Sequence, residues 1–233
     1  MNGKPEIVVM NNNMNTDTVG ICVYTYDGKL LWEQDFPQYG SSFMSSDYTN
    51  QIAVGDINGD GFPEIVFLAY KNELPYVVSL SHDGKILWEH SLLYGPAHSY
   101  LSGGTPVLAD LYGDGTLQVV IPRETNGLIV LDGKTGDVLN DFERNGYIQE
   151  RPASFAFPNI VDIDGDGVPE IGISWVEDNI YFPLYYWYLK AFEVFSSPQQ
   201  WKGHVPRHQN EYPFYVDQVD DNLNMTGNYQ PWK

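Results

Sequence analysis

Short apolar runs broken by Gly, Asp and Pro fill this chain, and the pattern changes face every one or two residues rather than every three or four. Stretches such as EIVFLAY (from Glu64) carry the β-branched and aromatic residues of strands, and turn residues bound them. No apolar period of 3.6 lasts beyond a turn or two of helix. The expected fold class is therefore all-β.

The pattern repeats. The segments DINGDGFPEIVF (from Asp56), DLYGDGTLQVVI (from Asp110) and DIDGDGVPEIGI (from Asp162) align without gaps, and their starts lie 54 and 52 residues apart. The opening NGKPEIVVM supplies the second half of the same unit, with Glu6 lying 58 residues before Glu64. A second element recurs in phase: YDGKLLWEQDF (from Tyr26), HDGKILWEHSL (from His82) and LDGKTGDVLNDF (from Leu131) each read as strand, Asp-Gly turn, strand. Gly supplies the positive φ such a turn needs. Trp32 and Trp88 take equivalent places, and Trp201 is the candidate counterpart in the last unit.

Each unit thus reads as four strands: one ending at the Asp-rich loop, one beginning at its Glu, then the two of the hairpin. Four short strands per period of roughly 50 residues predict a β-propeller blade. The expected division is a partial blade over 1–48, full blades over 49–100, 101–153 and 154–205, and a tail over 206–233 that packs on or closes the propeller. About four blades, the first incomplete, imply the C-terminal portion of a larger propeller. The alternative is a first strand borrowed from elsewhere, for which FYVDQVDDN in the tail is the candidate.

The Asp-rich loops change the picture from fold to chemistry. Calcium takes about six to eight oxygens in flexible geometry, and ligands at alternate positions of a tight loop can wrap one ion. In the second unit Asp56, Asn58, Asp60 and Glu64 offer side-chain oxygens and Phe62 its carbonyl. In the fourth, Asp162, Asp164, Asp166 and Glu170 do the same, with the carbonyl of Val168. Asp, Asn and Gly also favour turns on conformational grounds alone. Against that bland reading, three carboxylates in one tight loop repel each other unless a cation joins them. The third unit keeps Asp110 and Asp114 but has Tyr112 and Gln118 where ligands stood, so it should bind weakly or hold its shape by hydrogen bonds. The first keeps only Asn2 and Glu6. An EF-hand is excluded, because position twelve is Phe67 in one loop and Ile173 in the other, inside strand-like runs.

Charge narrows the partners. The chain has 12 basic and 31 acidic residues, a formal net charge of −19, which disfavours nucleic acid and anionic membrane surfaces. No apolar run approaches the roughly 20 residues of a membrane-spanning helix. The single Cys22 lies in an apolar strand-like run and reads as core. The N-terminus has no secretory signal features.

Together the loops and hairpins resemble the FG-GAP and VCBS repeats of integrin α-subunits and many secreted bacterial proteins, over roughly residues 2–201. The resemblance implies calcium in the loop between the first two strands of a blade, at Asp56, Asn58, Asp60 and Glu64 and at Asp162, Asp164, Asp166 and Glu170. It also implies an extracellular setting. For function it is less specific, since its members include adhesion receptors, carbohydrate-binding modules and some polysaccharide lyases. Two well-formed loops without a catalytic constellation lead to the expectation of a binding, adhesion or assembly module for a glycan or protein, in company with further blades or identical subunits.

Other classes remain as alternatives: part of a secreted polysaccharide lyase or hydrolase, or a subunit of an extracellular filament. No nucleophile elbow, phosphate loop or dinucleotide fingerprint is present. Arg123, Arg151, His82 and His98 are of the type a lyase needs, but no spacing convenes them. His204 and His208 have helical metal-pair spacing, which Pro206 between them contradicts. The aromatic run containing Tyr186 and Tyr188 reads as inter-blade packing ahead of a sugar platform. Asn224 opens a glycosylation sequon.

Overall fold

The computed structural model describes residues 4–13, 15–40, 52–72, 74–92, 105–123, 127–142, 150–152, 158–162, 169–178 and 185–193. All of the regular structure among them is antiparallel β. The first sheet holds β1 (Glu6–Asn13), β2 (Thr18–Thr25) and β3 (Leu30–Phe36) in that order. The second holds β4 (Ile52–Gly55), β5 (Glu64–Lys71), β6 (Leu74–Leu80) and β7 (Ile86–Ser91). The third holds β8 (Val107–Ala109), β9 (Gln118–Arg123), β10 (Gly127–Asp132) and β11 (Val138–Phe142). In the fourth, β12 (Glu150–Pro152) and β13 (Asn159–Val161) share one edge of β14 (Glu170–Asp178), and β15 (Tyr185–Glu193) runs along the other.

The four sheets follow the repeat. Glu64, Gln118 and Glu170 each open the strand after an Asp-rich segment, and Glu6 opens β1. The all-β class and the several antiparallel sheets are as the pattern predicts; the fourth sheet departs from the expected division, because β12 lies within the expected third unit yet pairs with β14. The contacts among the described strands run from each sheet to the next in sequence.

Three apolar clusters join neighbouring sheets. Val19, Ile21, Val23 and Phe36 of the first sheet meet Ile65, Phe67, Val78 and Leu80 of the second. Val66, Leu68, Val77 and Trp88 turn the other way, onto Val119, Ile121, Ile129 and Leu131 of the third. Val120, Leu128 and Val130 then meet Ile171 of the fourth. Successive residues of β5 thus bury against opposite neighbours, which is why Glu64 through Ala69 are all buried. A strand covered on both faces loses its polar alternation and reads as a continuous apolar run.

The hairpins show one difference from expectation. In the first two, Gly28 and Gly84 carry the positive φ (84° and 83°), following a turn closed by Gly28 N–H to the Thr25 carbonyl and Gly84 N–H to the Ser81 carbonyl. In the third the positive φ falls on Gly136 (74°), not on Gly133 of the Asp-Gly pair. That turn is one residue longer, closed by Gly136 N–H to the Asp132 carbonyl and Asp132 N–H to the Asp137 carbonyl. Gly133 serves close packing instead: a Cβ there would lie 2.1 Å from the Leu117 carbonyl oxygen.

Trp32 and Trp88 each seat on the hairpin of the next sheet. The Trp32 ring lies 3.5 Å from where a Gly84 Cβ would stand, and the Trp88 ring 2.7 Å from that of Gly136. Trp88 also donates its indole N–H to the Gly133 carbonyl (2.8 Å).

Candidate metal-binding loops

Strand β4 ends at Gly55, which pairs with Glu64 at the start of β5, so residues 56–63 form a tight excursion between paired neighbours. Backbone amides wrap around the acidic side chains. Asp56 accepts from Gly59 N–H (2.8 Å) through Oδ1 and from Gly61 N–H (2.9 Å) through Oδ2. Asn58 Oδ1 accepts from Asp60 N–H (2.8 Å), and Asp60 Oδ1 from Phe62 N–H (2.8 Å). The sharp turns fall on Gly59 and Gly61, both at positive φ (76° and 86°).

Glu64 differs from these rim residues. It is fully buried, and its Oε2 accepts from Ile57 N–H (3.0 Å). Its Oε1, also buried, has no hydrogen-bond partner among the described residues. Burial pushes the carboxyl above the ordinary Glu range, Asp60 and Asp56 push it further, and the Ile57 and Asn58 amides only partly oppose them. An unpaired carboxylate oxygen in that setting costs free energy until a cation or a donor meets it.

The loop was also expected to gather its carboxylates around one point. Among the described residues, no group of three or more His, Cys, Asp or Glu side chains is drawn together in that way. Asp56 and Asp60 instead spend lone pairs on loop amides. An ionised carboxylate has about four lone-pair sites, so these oxygens keep capacity for a cation as well. The donor set fits a hard cation on this ground, with buried Glu64 Oε1 as its unsatisfied member. The Phe62 ring, 40% exposed, stacks on His82 at 4.5 Å between centroids.

The third loop has the same shape and different chemistry. Asp110 accepts from Asp114 N–H (3.1 Å) and Gly115 N–H (2.8 Å), and Asp114 from Thr116 N–H (2.9 Å). The Thr116 hydroxyl and amide hold the Asp114 carboxyl below the usual carboxylate range. Gln118, buried at the place of Glu64, accepts from Leu111 N–H (2.7 Å) through Oε1. Its Nε2 donates to the Thr116 carbonyl (3.1 Å) and hydroxyl (3.2 Å). The expected hydrogen-bonded loop is what these contacts make. Thr116 was missed in the sequence; its place, six residues after Asp110 as Phe62 is after Asp56, is the signal that finds it.

In the fourth loop Asp162 and Glu170 are described, Glu170 nearly buried and opening β14 opposite Val161. Asp164, Asp166 and Val168 lie outside the described residues, as do Asn2, His98, Trp201, His204, His208 and Asn224. The side chains of Arg123, Arg151, Tyr186 and Tyr188 lie outside them too. His82 is taken up by its stack on Phe62.

Residues 1–67 match the family model described as FG-GAP-like repeat. Comparison with curated proteins found no match.

Proposed function

We propose that this chain, which carries an FG-GAP-like repeat, is a calcium-stabilised β-propeller module that works outside the cell and presents its loop rim to a glycan or protein. The observation that supports the cation is Glu64: a buried carboxylate, with one oxygen unpartnered, at the closing position of an Asp-rich loop. Calcium would be held by Asp56, Asn58, Asp60 and Glu64 with the Phe62 carbonyl, and by Asp162, Asp164, Asp166 and Glu170 with the Val168 carbonyl. It would supply positive charge that cancels the mutual repulsion of the carboxylates. In the second loop the chain's own part is to present the oxygens on a preformed turn, so that little ordering is left for the ion to drive. The net charge of −19 adds long-range attraction for cations.

A setting outside the cell is the part of this reading that rests on the expected weakness of the site. A loop with only part of its oxygens turned inward suits the weak sites of extracellular modules, with dissociation constants on the order of 0.1–1 mM. The exposed Phe62 ring on its His82 base gives the rim an apolar plate beside the charged loop, a surface suited to a sugar face or an apolar side chain.

Thermal melting in excess chelator and in millimolar calcium tests the reading. Calcium should raise the melting temperature by a few degrees, since a ligand that binds only the folded state at ten times its Kd adds about 1.4 kcal/mol. Equal melting temperatures in the two conditions overturn it. Retention on immobilised polysaccharides in calcium, lost in chelator, is the corresponding expectation for the rim.

A further inference from the structure

The second and third loops differ most sharply at one atom. In both, the residue eight places after the first Asp is buried and accepts from the backbone amide one place after that Asp, Ile57 or Leu111. That bond fixes which end of the Gln118 amide is which: Oε1 takes the Leu111 N–H, so Nε2 is left to donate. Nε2 bridges to the carbonyl and hydroxyl of Thr116. The corresponding atom in the second loop is Glu64 Oε1, and the corresponding carbonyl is that of Phe62, two oxygens that cannot donate to each other while the carboxyl is ionised.

We propose that Gln118 Nε2 stands in the third loop where the second loop takes a divalent cation, so that this one side chain decides which loops of the repeat depend on metal. An amide NH2 offers two N–H groups with partial positive charge, enough to bridge the inward oxygens of a loop that has lost two ligands. Tyr112, where Asn58 stands in the second loop, fits the same reading: a loop closed by an amide has no use for a third-position oxygen. Thr116 completes the exchange, because its hydroxyl gives the amide an acceptor that Phe62 does not have. The chain thus combines a metal-dependent loop with a self-closed one on neighbouring sheets. The inference rests on the cation reading of the second loop for its metal half, and on hydrogen bonding alone for its amide half.

The test exchanges the two residues, Glu64→Gln and Gln118→Glu, and measures melting in chelator and in millimolar CaCl2. In chelator, Glu64→Gln should melt no lower than the parent chain, because the amide supplies the missing donor. Gln118→Glu should melt lower by on the order of 3–10 °C, because it buries a carboxylate oxygen against the Thr116 oxygens. In calcium, Glu64→Gln should lose a large part of the parent's calcium-induced rise, and Gln118→Glu should regain part of its loss. If Gln118→Glu fails to fold, Glu64→Gln in chelator still decides the amide half. A Glu64→Gln chain that melts several degrees below the parent in chelator, or a Gln118→Glu chain that matches the parent there, overturns the inference. A parent chain indifferent to calcium overturns the cation reading, while the two chelator comparisons still judge the amide.

Discussion

Tyr39 is nearly fully buried, and its hydroxyl reaches across from the first sheet to donate to Glu89 Oε2 on β7. Lys71 pairs with the other oxygen of Glu89 and lies over the rings of Tyr39 and Tyr76. Lys71 first, and then the Tyr39 hydroxyl, hold the Glu89 carboxyl below its ordinary value of 4.5. A group whose folded pKa is depressed stabilises the fold above the unfolded value, and that contribution is lost as pH falls through the folded pKa. Glu89→Gln should therefore melt below the parent at neutral pH, and the gap should close below about pH 4, read from melting curves across pH. Tyr39 has the opposite sign: burial, then its bond to Glu89, raises its pKa, so its contribution is present below 10 and lost as pH climbs through the folded value. Nothing in the sequence pointed to this trio, because 32 and 18 residues separate its members: strand pairing in the second sheet brings Lys71 to Glu89, and packing against the first brings Tyr39.

At the scale of elements, the strands and their turns were largely legible. Period-two patterning and the Asp-rich loops placed the β4–β5 and β8–β9 pairs, and the Asp-Gly signal placed the hairpins. The third hairpin was misplaced within its own turn, because Asp132-Gly133 and Thr135-Gly136 carry similar local signals. Tertiary contact chose between them: Gly133 lies against Leu117 and Ile57, which leaves the left-handed position to Gly136 beneath the Trp88 ring. Gly136→Ala should thus cost more than Gly28→Ala. Both pay roughly 1–2 kcal/mol for a left-handed Ala, but only Gly136 forces a Cβ against an indole, whereas nothing lies within 4 Å at Gly28. Denaturant midpoints of the two variants measure the difference, and equal losses would mean that Trp88 yields freely. The loops show the same division. Alternating Asp, Asn and Gly announced a turn that could bind a cation, but burial of Glu64 and the bridge made by Gln118 came from the sheets that flank them.

Over the whole molecule, a position's energetic weight depends on which sheet it belongs to. Ile65 and Phe67 are buried between the first two sheets, yet Ile7 and Val9, which stand 58 residues earlier in the same repeat positions, are 48% and 38% exposed. Identical patterning therefore has unequal consequences. Ile65→Ala should cost about 2–5 kcal/mol, as buried Ile truncations do, and Ile7→Ala well under half of that. Urea unfolding of both variants checks it. Comparable losses would show that the Ile7 face is covered in solution.

The sequence by itself determined what recurs locally: the all-β class, the four-strand unit, the acidic loops and the residue that opens each following strand. The class, the loops and the strand openings rest on spacing within about a dozen residues, where steric and hydrogen-bonding preferences act without help from distant chain, and the unit rests on their recurrence along the chain. Tertiary structure decided what depends on a neighbouring sheet: which Gly takes the left-handed turn, that Tyr39 meets Glu89, that Ile65 is core while Ile7 is surface, and that Glu64 keeps an unpaired oxygen where Gln118 makes a bridge. Burial and partnership are properties of two surfaces together, and a repeat that writes the same letters on every sheet cannot say which of them will be covered.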